Sequence, residues 1–155
     1  MFVATAVVLV VIDQLSKQWA IERLSDGRII DSVGSLQLQL VFNSGAAFSV
    51  GSGSGLGPFI AVLALVVVAL LLFTGHSART RLGAVAVGLI AGGALGNLVD
   101  RSFRRGSSGL LGGYVVDFID LQWWPAFNTA DAAICVGAVA LMLLGLRAEP
   151  RTHHR

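Results

Sequence analysis

The chain has 155 residues, of which 55% are hydrophobic and 13% charged, with a formal net charge of +2. Soluble domains carry about 25% charged residues, so this composition, with a mean hydropathy of +0.78, excludes an ordinary water-soluble fold and points to lipid as the solvent. There is no basic run with interleaved aromatic residues, which argues against a nucleic-acid partner.

One bilayer crossing takes roughly 20 apolar helical residues. The length therefore accommodates four crossings plus loops in a single domain over 1–155. The expected fold class is an all-α membrane protein of four transmembrane helices.

The first helix is predicted over 2–19. Its opening residues, Met1-Phe2-Val3, lack the basic segment of a signal peptide, and no small-residue cleavage site follows, so it is read as a mature helix. Asp13 and Lys17 are spaced i, i+4 and share one face. Charges at this depth are costly unless paired or turned into the bundle, so the two read as an ion pair that fixes the first helix against its neighbours.

A polar stretch follows, in which Leu36-Gln37-Leu38-Gln39-Leu40 alternates with period two, the pattern of a short strand with one face on something apolar. Asn43-Ser44-Gly45-Ala46-Ala47-Phe48 follows as a turn of small residues. The tract Gly51-Ser52-Gly53-Ser54-Gly55 does not match GxGxxG and is not read as a phosphate loop.

A second helix is predicted over 58–73, with Pro58 at its first position, then a short turn carrying His76 and Arg79. A third is predicted over 81–101. Gly88, Gly92 and Gly96 recur along it every four residues, a stripe that lets another helix approach closely. Near its end stands Asn97, an amide about one turn inside an apolar helix, which requires an interhelical or ligand partner. Arg101 shares its face. A fourth helix is predicted over 129–146, followed by a basic tail with Arg147, Arg151 and Arg155. The single cysteine, Cys135, is read as a small buried apolar residue. No Cys/His spacing suggests zinc, so neither a metal site nor a cofactor is expected.

Four crossings put both termini on one side of the membrane. Eight of the nine acids then fall on the other side, Glu149 being the exception. The Lys/Arg distribution between short flanking segments is even, but its density in the terminal-side segments favours cytoplasmic termini and an outward-facing acidic cluster.

Two of these acids carry the sharper chemistry. Asp117 sits in the apolar, strand-like Val115-Val116-Asp117-Phe118, and Asp131 opens the fourth helix after Asn128-Thr129-Ala130. Taken singly, Asp131 reads equally as a helix-dipole partner. Taken together, two carboxylates near Arg and Asn side chains form an acid–base dyad that shares one proton. The ionised member takes a proton from an attacking water. The protonated member hydrogen-bonds the carbonyl under attack and then protonates the leaving amine.

Five segments in this order resemble one family, the lipoprotein signal peptidases or signal peptidase II: Asp13 to Lys17, Asn43 to Ser49, Gly92 to Arg101, Val115 to Phe118 and Phe127 to Asp131. The resemblance implies a four-helix bundle in the bacterial cytoplasmic membrane, with cytoplasmic termini, a small extracytoplasmic β-cradle over about 27–50 and an active site near the extracytoplasmic face. It implies cleavage of prolipoproteins just before a diacylglyceryl-modified cysteine, and inhibition by the cyclic peptide globomycin. By motif position Asp117 and Asp131 match the catalytic aspartates. Asn43, Asn97, Arg101 and Asn128 match residues that bind substrate or orient the dyad, and Asp13, Lys17 and Asp100 match structural support. Membrane lipids and lipidated precursors are the implied partners. Two features depart from the family pattern: Ala132 stands where many relatives carry serine, and the segment between the two aspartates is short.

The rival reading is a small proton- or cation-coupled transporter, since intramembrane acids and amides mark ion paths. No internal repeat supports it, and the acids gather at one surface instead of the midplane.

Overall fold

The computed structural model describes residues 1–44, 80–106 and 111–147. Three of the four predicted helices fall in this range: α1 (Phe2–Leu24), α2 (Arg81–Phe103) and α3 (Thr129–Arg147). They correspond to the first, third and fourth predicted helices. The helix predicted over 58–73, the turn of small residues after Ser44 with the end of the expected cradle at 45–50, the Gly/Ser tract, the turn with His76 and Arg79, and the basic tail after Arg147 lie outside the described residues.

Close backbone approach sets the bundle. A side chain at Gly92 would meet the Ala6 carbonyl of α1 at 2.8 Å, and one at Gly96 would meet Asp13 Oδ2 at 2.5 Å. The predicted glycine stripe is therefore the seat of α1. Gly93, on the other side of α2, packs on the Ala130 carbonyl of α3, and Gly137 of α3 packs on the Ala86 carbonyl of α2. α2 is thus the central helix, held between the other two. At the opposite end from the acids, Phe2, Ala6, Val87 and Ala91 form an apolar cluster.

α1 runs one turn past its expected end at residue 19. Ala20 and Leu24 are fully or almost fully buried, and they pack on Phe118 with Ile30, Leu38, Leu40 and Ile119 around them. This last turn is stabilised by the sheet, not by lipid, so the end of the apolar run was the wrong place to stop the helix. The chain leaves it through Gly27, whose φ of +82° is readily available to glycine.

The fold is not all-α, because a three-stranded antiparallel sheet closes one end of the bundle. Its order is β1 (Ile30–Asp31), β2 (Gln37–Asn43), β3 (Val115–Asp120). Among the described residues the expected cradle of 27–50 supplies two strands, and the third comes from the Asp117 segment. Leu38 pairs with Ile119 and Val41 with Asp117, so β2 carries one extra residue between those pairs. Such a bulge bends a strand and re-aims its side chains. Beyond it, Asn43 pairs with Val115.

The burial pattern is the inverse of that of a water-soluble protein. Asp13, Lys17, Asp100, Asp117 and Asn128 have no exposed surface, whereas Val3, Val7, Leu15, Leu82, Val136 and Met142 are more than half exposed. Cys135, expected to be buried, is exposed beside Val136. In lipid an apolar residue gains little from leaving the helix surface, and the interior around the acids is filled by small and polar groups.

Candidate active site

The nine candidate site residues from the sequence lie at the sheet end of the bundle, in two connected clusters.

The first cluster is a buried set of charges. Lys17 Nζ lies 2.8 Å from Asp13 Oδ2 and 3.0 Å from Asp100 Oδ2, and Arg104 Nε lies 2.6 Å from Asp100 Oδ1. Two acids face two bases, so the set is formally neutral, the condition under which buried ions are tolerated. Asp100 also accepts the Val116 backbone N–H at 3.2 Å, which ties α2 to β3 one residue before Asp117. Asp13 Oδ1 accepts the Ala130 N–H at 3.0 Å, which ties α1 to the first turn of α3. Asp13, Lys17 and Asp100 between them thus join all three helices and β3.

The second cluster holds the two aspartates. Asp117 Oδ2 accepts from Asn43 Nδ2 at 2.9 Å, and its Oδ1 accepts from Asn128 Nδ2 at 2.6 Å. Asp131 Oδ1 accepts from Asn97 Nδ2 at 2.9 Å. Asn128 also donates to Asn97 Oδ1 at 3.3 Å, so two amides bridge the strand acid to the helix acid. Asn128 caps α3: its Oδ1 accepts the Asp131 N–H at 3.0 Å, while Asp131 Oδ2 accepts the Asn128 N–H at 3.4 Å. This reciprocal pairing satisfies the helix N-terminus and fixes Asp131 at its first turn.

Burial pushes the Asp117 carboxyl up to about 7, with the neighbouring Asp131 charge adding to it and the Asn43 and Asn128 amides opposing it. Arg101 is 5% exposed, donates to the Gly113 carbonyl at 3.4 Å, and lies within electrostatic range of Asp117, Asp100 and Asp131. The structure thus brings together all nine residues named from the sequence. Asp26 is apart from them, paired with Arg28 at the surface, and the Asp120 carboxylate accepts the Gln122 N–H.

Two contributors carry no role in the sequence reading. Gln14 Nε2 reaches Gly96 O at 3.1 Å and Asp100 Oδ1 at 3.2 Å, joining α1 to α2. It stands between Asp13 and Lys17 in the chain, and its position one step from the paired face hid it. Arg104 follows Asp100 by four residues, a spacing that signals the pair.

Beside Asp131 an apolar cavity of about 350 Å³ is lined by Leu121, Trp123, Trp124, Phe127, Ala132 and Cys135. Ala132 is part of its wall. Phe127 is fixed by its pairing with Ile119, which folds the short segment between the aspartates back onto β3.

The family model for signal peptidase II matches residues 5–147. The lipoprotein signal peptidase of Syntrophomonas wolfei is 41% identical over 146 residues, covering 94% of this chain and 92% of that protein. That of Rhodococcus jostii is 42% identical over 147 residues, covering 94% and 72%. Among solved structures, a bacterial membrane enzyme determined by the in meso method is similar at a TM-score of 0.79 and 25% identity, covering 99% of this chain and 92% of that one. A second bacterial membrane enzyme gives a TM-score of 0.78 at 26% identity. With a match along almost its whole length, the chain belongs to the signal peptidase II family and is a membrane-embedded aspartic peptidase.

Proposed function

We propose that this protein removes signal peptides from prolipoproteins, cutting before a diacylglyceryl-modified cysteine, with Asp117 and Asp131 as the catalytic dyad. The observation that carries the dyad is the amide bridge: Asn128 and Asn97 hold the two carboxylates in one buried cluster and aim N–H groups at both.

Asp117 is the proton-carrying member, in keeping with its raised pKa. Asp131 is the ionised member, at a helix N-terminus that favours an anion. Asp131 takes one proton from water as the water oxygen attacks the scissile carbonyl. Asp117 hydrogen-bonds the developing oxyanion and passes its proton to the leaving nitrogen as the C–N bond breaks. The second product is the free carboxyl end of the signal peptide. Asn43 and Arg101 border the same cluster, as positions that orient substrate or dyad.

The substrate's lipid fits the surroundings. The cavity beside Asp131 is almost wholly apolar and adjoins the exposed, lipid-facing side of α3, so an acyl chain is its natural occupant. In this reading four helices cross the bacterial cytoplasmic membrane, the termini are cytoplasmic, and the sheet and dyad lie at the extracytoplasmic face. Trp19, Trp123 and Trp124, all exposed near the dyad end, suit the headgroup level.

The test is incubation of the purified protein with a diacylglyceryl-cysteine precursor, with and without globomycin. The expected result is a cut before the lipidated cysteine that globomycin blocks. An intact precursor, or equal cutting of the unlipidated one, would reject the assignment.

A further inference from the structure

Lys17 is buried in the first cluster, yet one of its contacts leaves that cluster. Its Nζ donates to Asn97 Oδ1 at 2.9 Å. The same Asn97 donates through Nδ2 to Asp131 Oδ1 at 2.9 Å. An asparagine amide has two faces, one accepting and one donating, and either orientation fills the same space. An ammonium group can only donate. With Lys17 on one side, Asn97 must turn its carbonyl to α1 and its NH₂ to Asp131. The Asn128 amide, which also donates to Asn97 Oδ1, enforces the same choice. Turned the other way, Asn97 would set its NH₂ against two donors and its carbonyl against a carboxylate.

We propose that Lys17 is a positioning residue for catalysis, acting on Asp131 through the orientation of the Asn97 amide. This goes beyond the supporting role of an ion pair, and it rests on the dyad reading above. Asp13 and Asp100 hold the ammonium group in place from two sides. Asn128 needs no such charge, because its own carbonyl faces a backbone N–H, that of Asp131.

The experiment is a double-mutant cycle on cleavage of the lipidated precursor with Lys17→Met, Asn97→Leu and the double variant. A structural ion pair and a dyad amide that act separately would give losses that multiply. A relay gives losses that do not. Each single substitution is expected to lower kcat by about 100-fold, the scale of losing one donor to a reacting group, with KM little changed. The double variant is expected to be no slower than the slower single. Multiplying losses, or a Lys17→Met effect confined to KM, would overturn the proposal. If Lys17→Met does not fold, the cycle is run in an Asp13→Asn background. There the remaining Asp100–Arg104 pair is neutral, and the side-chain carbonyl left at position 13 can still accept the Ala130 N–H. If the unmutated protein cuts no precursor, the dyad function itself fails. If it cuts and the cycle multiplies, only the role of Lys17 fails.

Discussion

Asn128 Nδ2 lies 2.6 Å from Asp117 Oδ1, while the carbonyl of the same side chain caps the helix that carries Asp131. One residue thus does a structural and a chemical task, and the two are separable. Asn128→Ser keeps an oxygen for the cap but cannot offer the amide to Asp117, whereas Asn128→Ala loses both. Both variants are expected to lose activity alike. The alanine variant is expected to be less stable than the serine variant by about 1 kcal/mol. Thermal midpoints in detergent, read beside cleavage rates, check this.

Asp117→Asn and Asp131→Asn each replace a carboxyl by a group of the same shape. Each is expected to reduce cleavage by at least about 100-fold while the protein still folds. Because the pair acts as a unit, the double variant is expected to be scarcely slower than either single. Normal processing by either single variant would refute the assignment of that residue.

The Asp117 carboxyl, held up at about 7 by burial, makes a pH prediction with a definite sign. Between its ordinary value of 3.8 and about 7 the folded protein holds a proton that the unfolded chain releases. Stability is therefore highest below that window, declines as pH rises through it, and levels off above about 7. Asp117→Asn is expected to flatten this dependence in thermal melts. Cleavage is expected to fall as pH rises above about 7, where the proton-carrying member is lost.

The seat of α1 on α2 predicts a contrast between two glycines. A Cβ at Gly96 would sit 2.5 Å from Asp13 Oδ2, an oxygen already held by Lys17. Gly96→Ala is expected to cost about 1–3 kcal/mol, as overpacking does, and to lower activity by moving Asp13 and Lys17. Gly145, in α3, has none of the described residues within 4 Å of its missing Cβ. Gly145→Ala is expected to leave activity unchanged and to gain a few tenths of a kcal/mol from helix propensity. Melting curves and rates on both variants decide.

The site was legible in the sequence because its residues break a local rule. Asn97, Asp117 and Lys17 are polar where the pattern demands apolar, and each has a partner on another element. Arg104 broke no rule, since a basic residue at a helix end needs no explanation, and Gln14 was masked by the Asp13 and Lys17 pair on either side of it in the chain. The strand at 115–120 was visible as an apolar run, but its place beside β2 was not, because pairing depends on contacts more than 70 residues apart in the chain, such as Asn43 with Asp117. The length of α1 was misjudged for the same reason: Leu24 is buried by Phe118, which sequence periodicity cannot register.

The ion pair within α1 bears on how the protein is made. Asp13 and Lys17 belong to one helix and meet at 2.8 Å without help from any other segment. α1 leaves the ribosome well before Asp100 and Arg104 exist, and a lone charge in its last turns would resist entry into the bilayer. Carrying its own counter-ion, the first helix can be inserted early as a nearly neutral rod. Arrival of α2 then adds Asp100 to the pair and completes the set. The residue that finally aims an amide at Asp131 thus begins its life as a passport for membrane insertion.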